Sequence, residues 1–596
     1  MLDLSYSAVK DLRTLHCCGD LKHLNEIRFL HCDQLKSMVG IKVLPALESV
    51  NLSYSAVNNI DDLRYCKTLK RLRLHGCTHL TNFVGLEGLC LLEQVDLSAT
   101  SITDLSVLSG AKRLTHLYLS RTNVTSLAAL KQCSALRVLH LRRCTQLHTI
   151  HGVEDMEILC KMNVSYSHVT DLTPLRRCVK MEQLIMKECS GVDTIVPLSG
   201  MTLLTKLVLS GASVKDLTPL KNCTQMEILW LQGCKNVQNI APLKDMEMLT
   251  VLNLNNTSVN DITPLAKCTR MRELFLGECD ALQSLATLRN MKDLTTLDVK
   301  GAPAMDIVVS LENCLQLRSL VVKQCSAFDS TIVLEDMTAL EELDLSETSV
   351  SCIDHLENCT RIRKLKLTLC RNLDTIGALA NMKTLEELCL SVTSVENLTP
   401  LRQCTQIKTM GLLWCKQLHI ITGLEHMMAL EELCLAETYV EDITPLLKCT
   451  QMKRLVLSSC SRIKSIDSLV GMTSLQELDL SDTSVSSIEP LRNCTLIKVL
   501  KIQGCQYLQS IASLEVMSAL EILYMGLTPV ADISPLENCT RLTHLWLQCC
   551  SNVRDLRVIP SLKSLKEVFI SSRMRDKVCT DGVEEEWIKF IKYSDW

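Results

Sequence analysis

The cysteines are the residues of this sequence that could carry the most chemistry, since 32 of its 596 residues are Cys. Thiols form disulfides, bind metal ions or act as nucleophiles, and their spacing discriminates among these uses. Two series of cysteines advance in steps of 45 residues with a single step of 46, which indicates an internal repeat. The first series comprises Cys133, Cys178, Cys223, Cys268, Cys314, Cys359, Cys404, Cys449, Cys494 and Cys539. The second lies eleven residues behind it and comprises Cys144, Cys189, Cys234, Cys279, Cys325, Cys370, Cys415, Cys460, Cys505 and Cys550.

The cysteine spacing argues against each of these reactive uses. Successive members of one series would lie two repeats apart, roughly 10 Å, which is too far for a disulfide. No C-x-x-C pair or histidine partner accompanies them, so no zinc site is expected. Cys389 and Cys434 are flanked by Glu387 and Glu432, whose charge would raise a thiol pKa rather than activate the thiol. Phosphate-loop, dinucleotide, metalloprotease and hydrolase motifs are also absent. We therefore predict a non-enzyme without metal or cofactor.

Each 45-residue unit contains two half-repeats that predict a short strand followed by a returning segment. Residues 226–234 (MEILWLQGC) follow L-x-x-L-x-L-x-x-C, and residues 340–348 (LEELDLSET) follow the same pattern ending in Thr. The paired leucines would point inward and the residues beside them outward. This is the leucine-rich-repeat pattern. It predicts an α/β-type solenoid, a horseshoe or arc with one long parallel β-sheet on the concave face and short 3₁₀, irregular or helical returns on the convex face.

The repeat also predicts the domain boundaries. Residues 1–570 are expected to form one continuous solenoid of about 26 half-repeats. Residues 571–596 are expected to form a capping helix or tail, with Trp587, Ile588, Ile591 and Trp596 on one side of the helix.

The residue at the turn of each half-repeat is predicted to satisfy buried backbone groups of the neighbouring turn, since an unsatisfied group there costs about 1–3 kcal/mol. The Thr members of this turn ladder include Thr257, Thr348, Thr393, Thr438 and Thr483. The Cys members include Cys144, Cys189, Cys234, Cys279, Cys370, Cys415, Cys460 and Cys505. We interpret these cysteines as small buried hydrophobes with a weak S–H donor.

Composition limits the compartment and the partners. So many free thiols predict a reducing compartment, and no signal peptide or run of 18 apolar residues is visible. We expect an intracellular protein, cytoplasmic or nuclear, that is neither secreted nor inserted in a membrane. The formal net charge of -4 excludes a generally polybasic protein that coats nucleic acid.

Outward positions of the predicted strands alternate in charge. Acidic ones include Glu342, Asp344, Glu387 and Glu432, and basic ones include Arg71, Arg73, His140, Arg142, Lys364 and Lys366. Opposite charges on neighbouring strands stabilise a sheet by about 0.2–1 kcal/mol per pair. The alternation therefore has two interpretations, mutual neutralisation or selection of a partner with a complementary pattern.

Aromatic residues are only 3% of the chain, yet several are predicted to face outward. They are Tyr118, Trp230, Phe275, Tyr524 and Trp546 on strands and Trp414 beside its turn Cys. Such rings either anchor a protein partner or pack on neighbouring Lys and Met side chains. Two patches are predicted, Trp230 with Phe275, and Tyr524 with His544 and Trp546.

An Arg/His cluster is predicted near the N-terminus, around Arg71, Arg73, His75, His140, Arg142 and Arg143. It could bind phosphates or an acidic protein. We see no aromatic residues interleaved with it and no nucleic-acid-binding motif, so the sequence disfavours a nucleic-acid partner.

The repeat phrases resemble those of known proteins. Residues 343–350 (LDLSETSV) and 433–446 (LCLAETYVEDITPL) resemble internalin-like repeats. Their alternation with Cys-turn repeats, as in 229–243 (LWLQGCKNVQNIAPL), resembles kinetoplastid leucine-rich-repeat proteins, including expression-site-associated proteins described as adenylate cyclase regulators. The resemblance implies action through protein partners. Some members carry an N-terminal RING zinc finger, whose Cys/His set is not found in this sequence.

Together these patterns predict a non-catalytic intracellular scaffold that recognises a protein partner on its concave face. The alternative, from the resemblance, is a regulatory or substrate-binding subunit of an enzyme complex such as an adenylate cyclase or a ubiquitin ligase. A third candidate is a nucleic-acid-associated factor that uses the N-terminal basic cluster. The oligomeric state stays open.

Overall fold

The computed structural model describes residues 1–13, 21, 23–303, 306–571 and 591–593. Its contacts divide the chain into two compact units, Met1–Ala302 and Pro303–Trp596. Each unit consists of short parallel strands that alternate with short returns.

In the first unit, each described strand pairs in parallel with the next one along the chain. The strands are Leu2–Asp3 (β1), Glu26–Arg28 (β2), Ser49–Asn51 (β3), Arg71–Arg73 (β4), Gln94–Asp96 (β5), His116–Tyr118 (β6), Val138–His140 (β7), Lys161–Asn163 (β8), Gln183–Ile185 (β9), Lys206–Val208 (β10), Ile228–Trp230 (β11), Val251–Asn253 (β12), Glu273–Phe275 (β13) and Thr296–Asp298 (β14).

The second unit repeats this arrangement, again with parallel pairing in chain order. Its described strands are Ser319–Val321 (β15), Glu342–Asp344 (β16), Lys364–Lys366 (β17), Glu387–Cys389 (β18), Thr409–Gly411 (β19), Glu432–Cys434 (β20), Arg454–Val456 (β21), Glu477–Asp479 (β22), Val499–Lys501 (β23), Ile522–Tyr524 (β24), His544–Leu547 (β25), Glu567–Ile570 (β26) and Ile591–Tyr593 (β27).

Alternation of side chains explains why these segments are strands. In β17 the central Leu365 is fully buried while Lys364 and Lys366 on either side face away from the core. Pairing is residue for residue, so Leu343, Leu365 and Leu388 stack in one line across three strands. The predicted solenoid of parallel strands with an aliphatic core is confirmed within each unit.

The returns are mainly single turns of 3₁₀ helix, as predicted. Proline occupies the first or second position of several, where its missing N–H is harmless and its fixed φ suits the turn. In the first unit they are Ile41–Val43, Asp61–Tyr65, Val84–Leu86, Ser106–Leu108, Ala128–Gln132, Thr173–Arg177, Val196–Leu198, Thr218–Leu220, Ala241–Leu243, Thr263–Lys267 and Ala286–Asn290. In the second they are Ile332–Leu334, Asp354–Leu356, Gly377–Asn381, Thr399–Gln403, Thr444–Lys448, Asp467–Leu469, Glu489–Asn493, Ala512–Val516, Ser534–Asn538 and Ile559–Ser561, with the short α-helix Ile307–Ser310 (α1) before them.

At the C-terminal end, the predicted capping helix does not extend to Ile591. Residues 591–593 instead form β27, which pairs in parallel with β26 and satisfies the backbone groups that β26 would otherwise expose. The remainder of the predicted helix, including Trp587, Ile588 and Trp596, lies outside the described residues.

The turn ladder converges on buried carbonyl groups. At Leu435 the carbonyl oxygen accepts a hydrogen bond from Thr438 Oγ1 at 2.7 Å and one from Cys460 Sγ, in the following repeat, at 3.0 Å. The Thr438 N–H points to the same oxygen at 3.3 Å. The same pairing recurs for Thr257 with Cys279, Thr348 with Cys370, Thr393 with Cys415, and Thr483 with Cys505. Cys144, Cys189 and Cys234 also donate to a carbonyl of the preceding turn.

The cysteines of the periodic pattern are buried, as the sequence predicts, and they form no disulfide among the described residues. Burial raises the pKa of the Cys223 thiol to about 11 and that of Cys178 to about 12, because the thiolate would lose its hydration. These thiols are therefore protonated core groups rather than nucleophiles.

We expect the variant Thr438→Val to lower the free energy of unfolding by about 1 kcal/mol, because valine keeps the shape of threonine but removes the strongest donor to the Leu435 carbonyl. The measurement is urea-induced unfolding followed by circular dichroism. Thr450→Val, at an exposed position of the same unit, is the matched control. Equal stability of the two variants would contradict the role of the turn ladder.

We also expect stability to fall at alkaline pH. The folded protein keeps the Cys223 thiol protonated up to about pH 11, whereas the unfolded chain ionises it near pH 8.5. Unfolding thus releases protons in this range, so the urea midpoint falls as the pH rises from about 8.5 towards 11. Cys223→Ala should make this decline shallower, and the exposed Cys90→Ala should not. A pH-independent midpoint would show that the core thiols ionise freely.

Candidate recognition surfaces on the sheet

The register of the strands arranges outward side chains in continuous rows. Lys501, Tyr524, Trp546, Phe569 and Lys592 occupy equivalent positions on β23 to β27 and follow one another in a single row. Neighbouring parallel strands lie about 4.8 Å apart, so planar rings in such a row can stack.

Three rings of this row form a stack, named here the C-terminal aromatic row (Tyr524, Trp546 and Phe569). The Tyr524 and Trp546 ring centroids are 3.9 Å apart with planes 13° from parallel, and those of Trp546 and Phe569 are 5.0 Å apart at 2°. His544 lies beside them, with its ring centroid 5.7 Å from that of Trp546. The predicted patch of Tyr524, His544 and Trp546 is thus a contiguous group.

Lysines close both ends of the C-terminal aromatic row. Lys501 Nζ lies 6.0 Å from the Tyr524 centroid and Lys592 Nζ lies 5.5 Å from the Phe569 centroid, within the range of cation–π attraction. Because the rings stack from strand to strand, their edges face away from the sheet. Sequence reasoning missed Phe569, although Val568 and Ile570 mark it as the outward residue of its strand.

The two rings of the other predicted patch, Trp230 and Phe275, are not neighbours. Register places Asn253 of β12 between Trp230 of β11 and Phe275 of β13, so the two rings belong to the same row without being neighbours. The Trp230 indole Nε1 is buried and has no hydrogen-bond partner among the described residues. Both side chains occupy outward positions of their strands, but one strand, β12, separates them.

Trp414 lies just after the C-terminal end of β19, beyond the paired part of the strand. Its backbone is left-handed with φ of 62°, as at the residue before most turn Thr and Cys residues, and its side chain is 51% exposed. Lys416 Nζ lies 4.9 Å from its ring centroid and 5.8 Å from that of Tyr439, and Arg462 Cζ lies 5.1 Å from the Tyr439 centroid. Trp414 thus belongs to a mixed aromatic and cationic cluster that the sequence did not reveal.

Charged rows of the second unit are largely paired. Lys364 Nζ lies 2.7 Å from a Glu342 carboxylate oxygen, and Lys366 Nζ lies 3.6 Å from one of Glu387. Glu432 stands opposite Arg454, whose Nε is 3.0 Å from Glu477. These contacts favour the neutralisation interpretation at these strands.

Asp344 has a different role from its charged neighbours. Its Oδ1 accepts a hydrogen bond of 2.9 Å from the Ser346 N–H, which stabilises the turn after β16. Asp96, Asp298 and Asp479 accept the equivalent bond at the ends of their strands. Part of the acidic pattern therefore reflects turn formation.

The N-terminal basic cluster lines a groove of about 470 Å³ with Arg71, Arg73 and His75. Tyr54, Asp96 and Tyr118 line the same groove. Nearby, His140 contacts the Tyr118 ring edge-on at a centroid distance of 5.0 Å, and Arg142 Cζ lies 5.5 Å from the Tyr166 centroid. Contrary to the sequence-based expectation, aromatic rings do interleave with these basic residues, because the fold brings them in from neighbouring repeats.

Three further observations concern metal binding, thiol reactivity and membrane insertion. Within the described residues, no group of three or more His, Cys, Asp or Glu side chains is arranged to hold a metal ion. Burial raises the pKa of the Cys434 thiol, which disfavours its thiolate form. None of the described helices is long and apolar enough to span a bilayer.

Comparisons with known proteins agree with this fold. A family model for the BspA type leucine-rich repeat region matches six copies in residues 307–419 and 402–509, and no curated protein matches. A solved leucine-rich-repeat protein from Leptospira interrogans shares 16% identity over 67% of this chain and 98% of its own, with a TM-score of 0.53.

Two plant receptor structures are also similar. The ectodomain of the Arabidopsis thaliana receptor kinase GASSHO1/SCHENGEN3 shares 16% identity over 96% of this chain and 84% of its own, with a TM-score of 0.54. The plant peptide hormone receptor RGFR1 shares 13% identity over 95% and 98%, with a TM-score of 0.59. Since the strand pattern, the family model over residues 307–509 and these structures agree, the chain has the leucine-rich-repeat fold.

Proposed function

We propose that this protein is a non-catalytic recognition scaffold that binds a protein partner through the outward face of the sheet in its second unit. The C-terminal aromatic row carries the proposal. Trp and Tyr are the residues that most often supply binding energy at protein interfaces. Here Tyr524 and Trp546 are preorganised by stacking at 3.9 Å, so binding them costs little side-chain entropy.

The surroundings of the row suit a protein interface. Rings at its centre are half-buried, and Lys501 and Lys592 provide charge at its two ends. An apolar centre inside a polar rim is the usual organisation of protein–protein interfaces. Paired charges on β16 to β22 would then add specificity and speed of association more than affinity.

The fold neighbours support the same class of function. RGFR1 was solved in complex with RGF2, and GASSHO1/SCHENGEN3 in complex with CASPARIAN STRIP INTEGRITY FACTOR 2. By analogy, we propose a peptide or protein ligand for this chain as well. Regulation of an adenylate cyclase or a ubiquitin ligase, which the family resemblance implies, stays a prediction about the identity of that partner.

We further propose that the protein works in a reducing compartment inside the cell. Buried thiols without a disulfide, such as those of Cys178 and Cys223, support this location, because oxidising compartments favour disulfides.

Trp546→Ala should weaken binding of the protein partner by at least tenfold, because loss of a central aromatic anchor costs about 2 kcal/mol or more. The partner is first isolated by affinity capture with cross-linking, and its affinity for purified wild-type and variant chains is then measured by calorimetry.

Tyr507→Ala is the matched control, since Tyr507 is a 62% exposed ring of the same unit that follows the turn Cys505 and lies off the strands. It should leave the affinity unchanged. A partner that binds the Trp546 variant as tightly as the wild type would place the interface elsewhere.

A further inference from the structure

The outward face of β3 to β8 is strongly basic. This surface, named here the N-terminal basic face, consists of the outward residues of these six strands and the two residues before each turn Thr, Ser or Cys. Asp96 is its single acidic residue. Its cations, apart from histidines, are Arg71, Arg73, Arg121, Arg142, Arg143 and Lys161. The excess contrasts with the net charge of -4 of the whole chain.

These cations are not neutralised by neighbours. None of the six makes an ion pair with a carboxylate among the residues that the structure describes, whereas Lys364, Lys366 and Arg454 on the second unit all do. Asp96 is already engaged, since its Oδ1 accepts the Ser98 N–H and its Oδ2 lies 3.8 Å from His75 Nδ1. The alternation of charge that neutralises the second unit is therefore missing here.

The pKa values of two histidines reflect this uncompensated positive charge. Burial lowers the pKa of His116, and the nearby cations Arg137 and Lys161 lower it further. For His140, burial is again the main cause, opposed by Asp96 and reinforced by Lys161. A dense positive field of this kind attracts a polyanion.

Aromatic rings are distributed through the basic face. Tyr54 lies against His75 with a centroid distance of 5.0 Å, and with Arg71, Arg73 and Tyr118 it lines the groove of about 470 Å³. Arg143 Cζ lies 5.4 Å from the Tyr166 centroid, on the far side of the face.

The ring series continues along the edge of the sheet. His31 stacks between Tyr6 and Tyr54 at 5.2 and 4.7 Å, and the two tyrosines are 74% and 47% exposed. His31 covers one face of each tyrosine, so this series presents ring edges and the exposed surface of Tyr6.

We propose that the N-terminal basic face binds single-stranded nucleic acid. Unpaired arginines and lysines would contact phosphates, and bases would pack against the exposed parts of Tyr54, Tyr118 and Tyr166 and join their ring series. Phosphate contacts combined with base–aromatic contacts are how sequence-tolerant single-strand binding works. An acidic peptide would satisfy the cations but would leave the interleaved rings without planar partners. This activity lies outside the protein recognition proposed for the second unit and uses different residues.

The test is fluorescence anisotropy with labelled oligouridine and oligodeoxythymidine and the full-length chain. If six phosphates are neutralised, the logarithm of the affinity should fall with the logarithm of the salt concentration with a slope of about -4. Comparison of the two oligonucleotides identifies the preferred sugar, and tight binding of either one supports the proposal.

Two double variants separate the contribution of the arginines from that of the tyrosines. Arg71→Ala/Arg73→Ala should weaken binding and reduce the slope by about 1.4, since each phosphate contributes about 0.7 for single strands. Tyr54→Ala/Tyr118→Ala should weaken binding roughly tenfold or more without changing the slope. Lys364→Ala/Lys366→Ala, which removes ion-paired cations of the second unit, should have no effect.

Three results would overturn the proposal. They are absence of oligonucleotide binding at low salt, equal affinity for polyglutamate, and full retention of affinity in the tyrosine double variant. Equal binding of polyglutamate would assign the face to an acidic protein instead. Circular dichroism of each variant checks that the repeats remain folded.

Discussion

The structure depends on a buried carbonyl that is shared between consecutive repeats. At Leu435 the oxygen accepts from Thr438 of its own repeat and from Cys460 of the next one. This contact satisfies a backbone acceptor that would otherwise be costly to bury. It also links each Thr-turn half-repeat of this kind to the Cys-turn half-repeat that follows it.

Because the strand register is constant, outward side chains form rows that run from strand to strand. The residue types in each row decide what that part of the surface can bind. Where Lys364 meets Glu342 the row is neutralised by ion pairs. Where Tyr524 meets Trp546 it becomes an aromatic stack. Where Arg73 is followed by Asp96 and then Tyr118, the row combines charged residues with a ring beside the basic groove. One backbone arrangement thus supports a stabilised sheet, a proposed protein interface and a proposed nucleic-acid interface.

Much of the fold was predictable because the spacing within each half-repeat identifies the inward residues and the turn residue. Leu365 and Cys460 could be placed from the pattern alone, and both are buried. Ile591 was placed incorrectly, because pairing with β26 outweighs the local helical pattern. Asp344 was listed among the charged residues that could face a partner, yet its carboxylate accepts a hydrogen bond from the Ser346 N–H. The charge pattern alone did not reveal that a nearby backbone group engages this side chain.

The sequence alone determined the periodicity, the buried thiols and the outward side of the repeat strands up to β26, since these follow from spacing within a single repeat. Only the tertiary structure decided which outward residues touch. Phe569 joins Trp546, Asn253 separates Trp230 from Phe275, and Tyr54 and Tyr118 enter the arginine groove. These contacts join residues of different repeats, and they depend on strand register and on side-chain conformations that the spacing within one repeat does not specify.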